Sequence, residues 1–594
     1  MNKIRIPTMT VLVAAVLFSL FSINFSFDVS LLAFPVAAVI SVALVYFLFL
    51  KLYKNHDISS VKATVKLLQY IPFAFLASFI LRRAGRYGTY YWYDVLTVFL
   101  WCVVFISSLI ILYYFDDKRI KHVFPDYEPA SKKKNGVIVS VDFSAKKIFF
   151  EIIDWVDALL QAVFMVLLIQ IFVLQLYVIP SESMVPSFLV GDRVVVTKTA
   201  SGPKFPLCNV GVPCLKKYER GDVVVFRNPH YSLDRKSEVK TVVSQILYMI
   251  TFTALNLNVD EHGEPKADPL VKRICGVPGE QLVMQDGILY SRTKASLDFK
   301  PVAKDAVFAS WNLNTVQNSV KTGIKLFPLS QKEYDLMLSL EEERRNLDLF
   351  EAASDCRKIF SSFKNNYGRY NHGSETVVDF SLDDYSIFSG FVSNTKNLLS
   401  GKTVDNSWFR KFLLDWQEGD SFGAVFTKKS DNNELSCFDG DVYSEANYKL
   451  NVMIKLCAGK LYARTAELLL KGAEELKILE DSEIQRLLQD AMKLHFYLGI
   501  LDQRNMPVFP ANLEDGSANF IPENCYFMMG DNRFNSLDMR HSYEQKLVPL
   551  SEKDLYSVKY NSNIAPQYVN KKYILGSAVF RFMPVNRIGG IKTR

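Results

Sequence analysis

A multi-pass α-helical membrane region, followed by an extracytoplasmic mostly-β domain with a large, partly helical insertion, is the fold predicted by this 594-residue sequence. Three observations predict it. Apolar residues, 49% of the chain, crowd into its first third as runs of membrane-spanning length. Beyond residue 180 the pattern becomes short β-branched runs bounded by Gly, Asp and Pro. Between roughly 295 and 515 it changes again, to acidic and basic stretches at helical spacing. The division that follows is 1–154, a membrane region of about four transmembrane segments with a basic cytoplasmic loop; 155–180, a transmembrane anchor; 181–294, the first part of the β domain; 295–515, the insertion; and 516–594, the second part of the β domain.

The membrane region rests on apolar runs at 7–26, 29–50, 67–81, 94–114 and 155–179. A bilayer crossing takes roughly 20 residues. The 67–81 run is short and contains Pro72, so a span and a re-entrant or buried helix both remain open. Lys3 and Arg5 precede the first run, but it is long and has no small-residue exit, so it reads as a span and not as a cleavable leader. Residues 1–150 hold 17 Lys and Arg against 8 Asp and Glu, whereas the whole chain carries a net +7. The basicity therefore belongs to the membrane loops and indicates no nucleic-acid partner. The loop 51–66 has Lys51, Lys54, Lys62 and Lys66; the loop 115–150 has Lys118, Arg119, Lys121, Lys132, Lys133, Lys134, Lys146 and Lys147. Both are expected in the cytoplasm, which puts everything after residue 180 outside. Arg82, Arg83 and Arg86 would then face outward, against the charge bias.

Past the membrane, residues 188–196 and 221–226 read as strands, and Asp286-Gly287 sets a hairpin turn within 281–290. Later strands are expected at 524–529 and 573–582. In the insertion, Ser330 and Glu333 form a capping-box signal opening a helical stretch through Arg344, Phe350 and Ile359, with a second helical run over 461–498. It reads as a structural cap or as a partner-binding or gating module. The mostly apolar segment 242–259 is too polar for a span and reads as an interfacial or a buried helix. Seven of the eight cysteines lie beyond residue 180, so at least one thiol stays unpaired if all seven share an oxidising compartment; Cys208 and Cys214 suit either a disulfide or two free thiols. Cys/His spacings suggest no zinc site.

Three blocks carry chemistry. Pro180-Ser181-Glu182-Ser183-Met184 follows the last apolar run directly; Val271-Lys272-Arg273 sits among apolar neighbours; and Gly530-Asp531-Asn532-Arg533-Phe534-Asn535-Ser536-Leu537-Asp538-Met539-Arg540 forms the third. A serine hydroxyl needs a base within hydrogen-bond reach and donors aimed at the developing oxyanion. None of the seven histidines lies in these blocks, and a lysine serves as base when desolvation depresses its pKa to about 7–8. Lys272, flanked by Val271, Ile274 and Val277, suits that role.

In their order, the three blocks resemble type I signal peptidase, the bacterial serine/lysine leader peptidase. The resemblance implies Ser183 as nucleophile, Lys272 as general base and Ser181 as oxyanion donor beside the main-chain N–H of the nucleophile. It implies Ser536 as the residue orienting the lysine and Asp538 with Arg540 as a supporting ion pair. Phe534 replaces the acidic residue common at its position, which puts a second ion pair in doubt. Gly221-Asp222-Val223-Val224 and the stretch 576–590, with Phe580, Arg581, Pro584, Asn586 and Arg587, also match the family and are structural. The fold so implied is packed from several small antiparallel sheets, and the insertion lies outside the resemblance.

The implied activity is removal of amino-terminal signal peptides through an acyl-enzyme, with no cofactor and no metal. Shallow pockets for small side chains would be lined by Val178, Ile179, Met184 and Val271. Partners are then secretory preproteins, the lipid bilayer and the protein-translocation machinery, at the inner cell membrane. Two other readings compete: a self-cleaving Ser/Lys regulatory peptidase, which normally lacks spans, and a non-catalytic membrane scaffold, which has no need of Ser183 and Lys272.

Overall fold

The computed structural model describes residues 4–24, 28–85, 90–116, 118–125, 145–231, 234–251, 255, 257–259, 266–367, 387–401, 403–405, 407–418 and 441–592. Arg86, Lys132, Lys133, Lys134 and Cys437 lie outside the described residues, as does much of the 115–150 loop. Five helices open the chain: α1 (Arg5–Phe21), α2 (Ala33–Leu44, continued by a π-helical stretch Val45–Lys54), α3 (Val61–Ala84), α4 (Tyr91–Tyr114) and α5 (Ala145–Phe172). Among the described residues, four helical stretches, Val29–Lys54, Ile58–Ala84, Tyr91–Tyr114 and Glu151–Phe172, are long and apolar enough to cross a membrane. The short 67–81 run is thus the middle of one long helix, whose ends are polar and escape an apolar window. Proline at position 72 removes a main-chain donor, but the helix continues. The Pro72 carbonyl takes the Trp101 indole N–H at 2.8 Å, tying α3 to α4.

Two of the arginines that strain the charge rule share one carboxylate inside the bundle. Arg82 is 1% exposed and donates to Asp94 at 2.9 Å and to the Phe21 carbonyl at 2.9 Å, while Arg83 lies 3.3 Å from the same carboxylate. A paired arginine carries little of the free charge that sets orientation.

The anchor expected over 155–180 is only partly helical. Its helix ends at Phe172, and Leu174–Val178 is a strand, β1, paired antiparallel with β2 (Arg193–Thr197). The run 173–179 is apolar and β-branched, so it fits a helix or a strand by composition; pairing with β2 decides it. The remaining strands are β3 (Val223–Phe226), β4 (Leu270–Gly276), β5 (Glu280–Gln285), β6 (Ile288–Thr293), β7 (Ser296–Pro301), β8 (Met506–Phe509), β9 (Cys525–Met529), β10 (His541–Pro549), β11 (Lys559–Ile564), β12 (Val569–Asn570), β13 (Ile574–Met583) and β14 (Gly589–Gly590). The main sheet runs β1-β2-β13-β3-β4-β9-β12, with β14 on β13; a second runs β7-β6-β5-β8, and β10 pairs with β11. Two ends of the chain interleave in the main sheet, since β13 lies between β2 and β3. Of the strand expected at 188–196, only the part from Arg193 is extended. The β5–β6 turn is the expected one: Asp286 has φ 52° and Gly287 φ 77°, the left-handed pair of a tight hairpin.

The insertion is narrower than 295–515, because β7 and β8 at its two ends belong to the second sheet. Its helices fall between Ala303 and Arg504. The Ser330/Glu333 capping box forms, but the stretch it opens is two helices, Gln331–Asn346 and Leu349–Asn366, broken where Asp348 caps the second. The later run likewise divides into Val442–Leu470, Glu475–Glu480 and Ser482–Arg504. These helices share one apolar core that also takes in Leu550, Val558 and Tyr560 from β11 and the β10–β11 connection. Arg345 meets Asp286 of the hairpin turn at 2.7 Å, with Arg344 on the same carboxylate, and Arg504 pairs with Glu341 at 2.8 Å. Cys208 and Cys214 are free thiols. Within 242–259 the helix α6 (Arg235–Ile250) ends at Ile250.

Candidate active site

Strand β4 sets Lys272 opposite Val224 of β3, in the middle of the main sheet. Ser183 sits in the turn that follows β1. The sheet order brings them together: Lys272 Nζ lies 2.6 Å from Ser183 Oγ, donating to it, and Lys272 is only 3% exposed. Burial pushes the pKa of this amine down to about 8, and the Arg540 guanidinium adds to the effect, while Asp538 and Asp531 oppose it. A buried amine at that value is neutral often enough near pH 8 to take a proton from a hydroxyl. Ser181 is exposed, and its Oγ donates to Ser183 Oγ across 3.4 Å.

The third block closes the site from the opposite end of the chain. Gly530 follows β9 directly, and a Cβ there would collide with Ser536 Oγ and the Ser183 carbonyl, so only glycine lets the two segments approach. The Asn532 main-chain N–H donates to the Ser183 carbonyl at 3.1 Å and its side-chain amide to the Glu182 carbonyl at 3.0 Å. Asp538 is fully buried, pairs with Arg540 at 2.8 Å and accepts the Gly530 N–H at 2.8 Å. Arg540 holds the Asp538 carboxyl well below the usual carboxylate range despite the burial that opposes it. His541, beside them, is pushed down to about 4 by burial and by Arg540, so it is neutral at physiological pH.

Ser536 departs from its expected role. Its Oγ is buried but has no hydrogen-bond partner among the described residues, so the contact to Lys272 that the resemblance implies is not made. Of the four pocket residues, Ile179, Met184 and Val271 pack in one apolar cluster with Val194 and Val223, whereas Val178 is 57% exposed. Successive strand residues alternate faces, so Val178 at the end of β1 turns outward as Ile179 turns inward.

Several residues around the site are not evident from the sequence. Arg273 makes a bidentate pair with Asp531, both bonds 2.7 Å, and both side chains are buried. The Arg273 guanidinium also lies 3.7 Å from the Phe308 ring. Ser187 donates to Asp531 at 2.5 Å. The second ion pair left in doubt by Phe534 exists with another partner: Arg533 binds Asp305 from the start of the insertion at 2.5 and 3.0 Å. Phe534 itself packs edge-on against Trp311 at 5.1 Å. On the far side, Arg587 pairs with Asp192 at 3.1 Å and Arg581 donates to the Ser187 carbonyl at 2.7 Å, fixing the loop that runs on from Ser183. Arg273 and Asp531 stand in the quoted blocks, yet they are 258 residues apart and no local pattern links them.

Residues 152–332 match the family described as signal peptidase, peptidase S26. The signal peptidase I of Buchnera aphidicola subsp. Schizaphis graminum is 33% identical over 142 residues, 24% of this chain and 44% of that protein. That of Pseudomonas aeruginosa is 30% identical over 135 residues, 23% and 46% respectively. Signal peptidase I P of Bacillus subtilis subsp. natto is 26% identical over 164 residues, 27% and 63%. The chain spans about half the length of these curated relatives.

Proposed function

We propose, from the match of residues 152–332 to the signal peptidase family, peptidase S26, that the protein is a membrane-bound serine endopeptidase that removes amino-terminal signal peptides from secreted preproteins. The observation that carries the reading is the buried Lys272 amine 2.6 Å from Ser183 Oγ. Ser183 Oγ attacks the scissile carbonyl as its proton passes to the neutral Lys272 Nζ. The tetrahedral oxyanion takes hydrogen bonds from the Ser183 N–H and the Ser181 hydroxyl, which turns from Ser183 Oγ toward the new charge. Collapse breaks the peptide C–N bond, and the leaving amine takes the proton from Lys272. Water, deprotonated by the same lysine, then hydrolyses the acyl-enzyme and frees Ser183. Asp538 and Arg540 hold the polar floor behind the lysine.

Ile179, Met184 and Val271 form the apolar wall against which a small residue before the cut is read. Purified protein incubated with a preprotein bearing Ala at that position is expected to cut after it, as located by mass spectrometry; a cut at unrelated sites, or none, would remove the reading. Ser181→Ala is expected to lower kcat about 10²- to 10³-fold, the usual worth of one oxyanion donor, in the same assay.

The site works on translocated chains only from outside the inner membrane, close to the bilayer and the translocation machinery. The basic loop that includes Lys118, Arg119 and Lys121 stays in the cytoplasm and directs α5 outward. In a cysteine-free background on intact cells, a membrane-impermeant thiol reagent is expected to label Leu476→Cys, at a position 74% exposed, and to spare Lys118→Cys until the membrane is breached. The reverse pattern rejects this orientation.

A further inference from the structure

The turn bearing Ser183 is held by groups from three parts of the chain, and one of its own residues reaches into the insertion. Glu182 immediately precedes Ser183, is 7% exposed, and binds the main chain of the insertion through its carboxyl group. One oxygen accepts the main-chain N–H of Lys325, and the other accepts that of Leu326 at 3.0 Å. Neither N–H belongs to a helix or strand, so Glu182 supplies acceptors for two donors that regular structure leaves open. Next to this contact, Val185 and Leu189 pack in one apolar cluster with Leu313 and Ile324. The same segment of the insertion also grips the third block: the Ser310 N–H donates to the Asp531 carbonyl at 2.7 Å, and the Arg533 N–H donates back to Ser310 at 3.1 Å.

We propose that Glu182 is a positioning residue for the Ser183 turn, and that residues 305–327 act as a strap which, through Glu182, sets the nucleophile against Lys272. This rests on the peptidase reading above. A hydroxyl that must lie 2.6 Å from its base tolerates little displacement, because misplacing a reacting atom by about 1 Å can cost 10²-fold. The charge of Lys272 is governed by burial, Asp538, Arg540 and Asp531, whereas the Glu182 carboxyl is committed to the main chain of the insertion. Its loss should therefore lower the rate without moving the pH at which activity rises.

The test uses the full-length membrane protein and two variants that break the contact from opposite sides. Glu182→Ala removes the acceptors; Leu326→Pro removes one donor, at a position 59% exposed, and leaves Glu182 in place. Each is expected to lower kcat about 10- to 100-fold with KM and the pH midpoint unchanged, and the double variant to be no slower than the worse single one. Glu182→Gln, which keeps one acceptor oxygen, is expected to recover part of the rate. Wild-type kcat in either single variant, an additive double variant, or a displaced pH midpoint overturns the proposal. If the wild-type protein itself cuts no preprotein, the peptidase reading fails and this inference with it; if wild type cuts and Glu182→Ala cuts equally fast, only this inference fails.

Discussion

Ser183→Ala and Lys272→Ala are each expected to reduce preprotein cleavage by about 10⁴-fold or more, leaving the protein folded and in the membrane. The size of the effect follows from the pairing. An unassisted serine hydroxyl is a poor nucleophile, and an amine without its hydroxyl has nothing to attack with, so the two losses should resemble each other and the double variant should be no worse. Lys272→Arg is expected to be as inactive as alanine, because a guanidinium stays charged at any working pH and cannot accept the proton. The checks are single-turnover cleavage of a purified preprotein, with circular dichroism to compare folding. Cleavage by Ser183→Ala at wild-type rate would remove the dyad altogether.

Asp538→Asn should affect stability and pH dependence together. Asp538 and Arg540 are fully buried, and removing one partner of such a pair leaves an uncompensated charge, a cost of about 3–5 kcal/mol. A lower midpoint of denaturant unfolding measures it. The sign of the pH effect is fixed by the neighbours of Lys272. Asp538 raises the lysine pKa and Arg540 lowers it, so losing the carboxylate while keeping the guanidinium drives it further below about 8. Activity requires the neutral amine, so it rises as pH passes upward through that pKa. In Asp538→Asn the rising limb of kcat against pH should therefore move to lower pH. A limb that stays in place or moves to higher pH would show that the Asp538 carboxylate does not hold the lysine pKa up.

Much of the fold is legible locally. The Asp286-Gly287 hairpin, the Ser330/Glu333 capping box and the strands at 524–529 and 573–582 all form near the places the residues indicate, because turn geometry, capping and β-branched alternation act over a few neighbours. The site is legible in a different way: Ser183 and Lys272 are recognised through the order of three blocks, and the 2.6 Å between them comes from the sheet. The expected errors arise where composition permits two states. Residues 173–179 suit a bilayer helix or a strand, and pairing with β2 chooses the strand. The ends of the insertion are short, and only their pairing with β5 and β6 makes them sheet.

By itself, the sequence determined that the first third carries apolar helices of membrane length, that β structure follows, and that a serine comes directly after the last apolar run while a lysine stands among apolar neighbours; each of these depends on a residue and its near neighbours. Tertiary structure alone decided which charges are neutralised and which groups hold the site. Arg82 meets Asp94, Arg273 meets Asp531, Arg533 meets Asp305, and Glu182 meets the main chain of the insertion. The physical reason is that a buried charge or acceptor must find a partner wherever the fold places one, and partners hundreds of residues away leave no periodic signal in the chain.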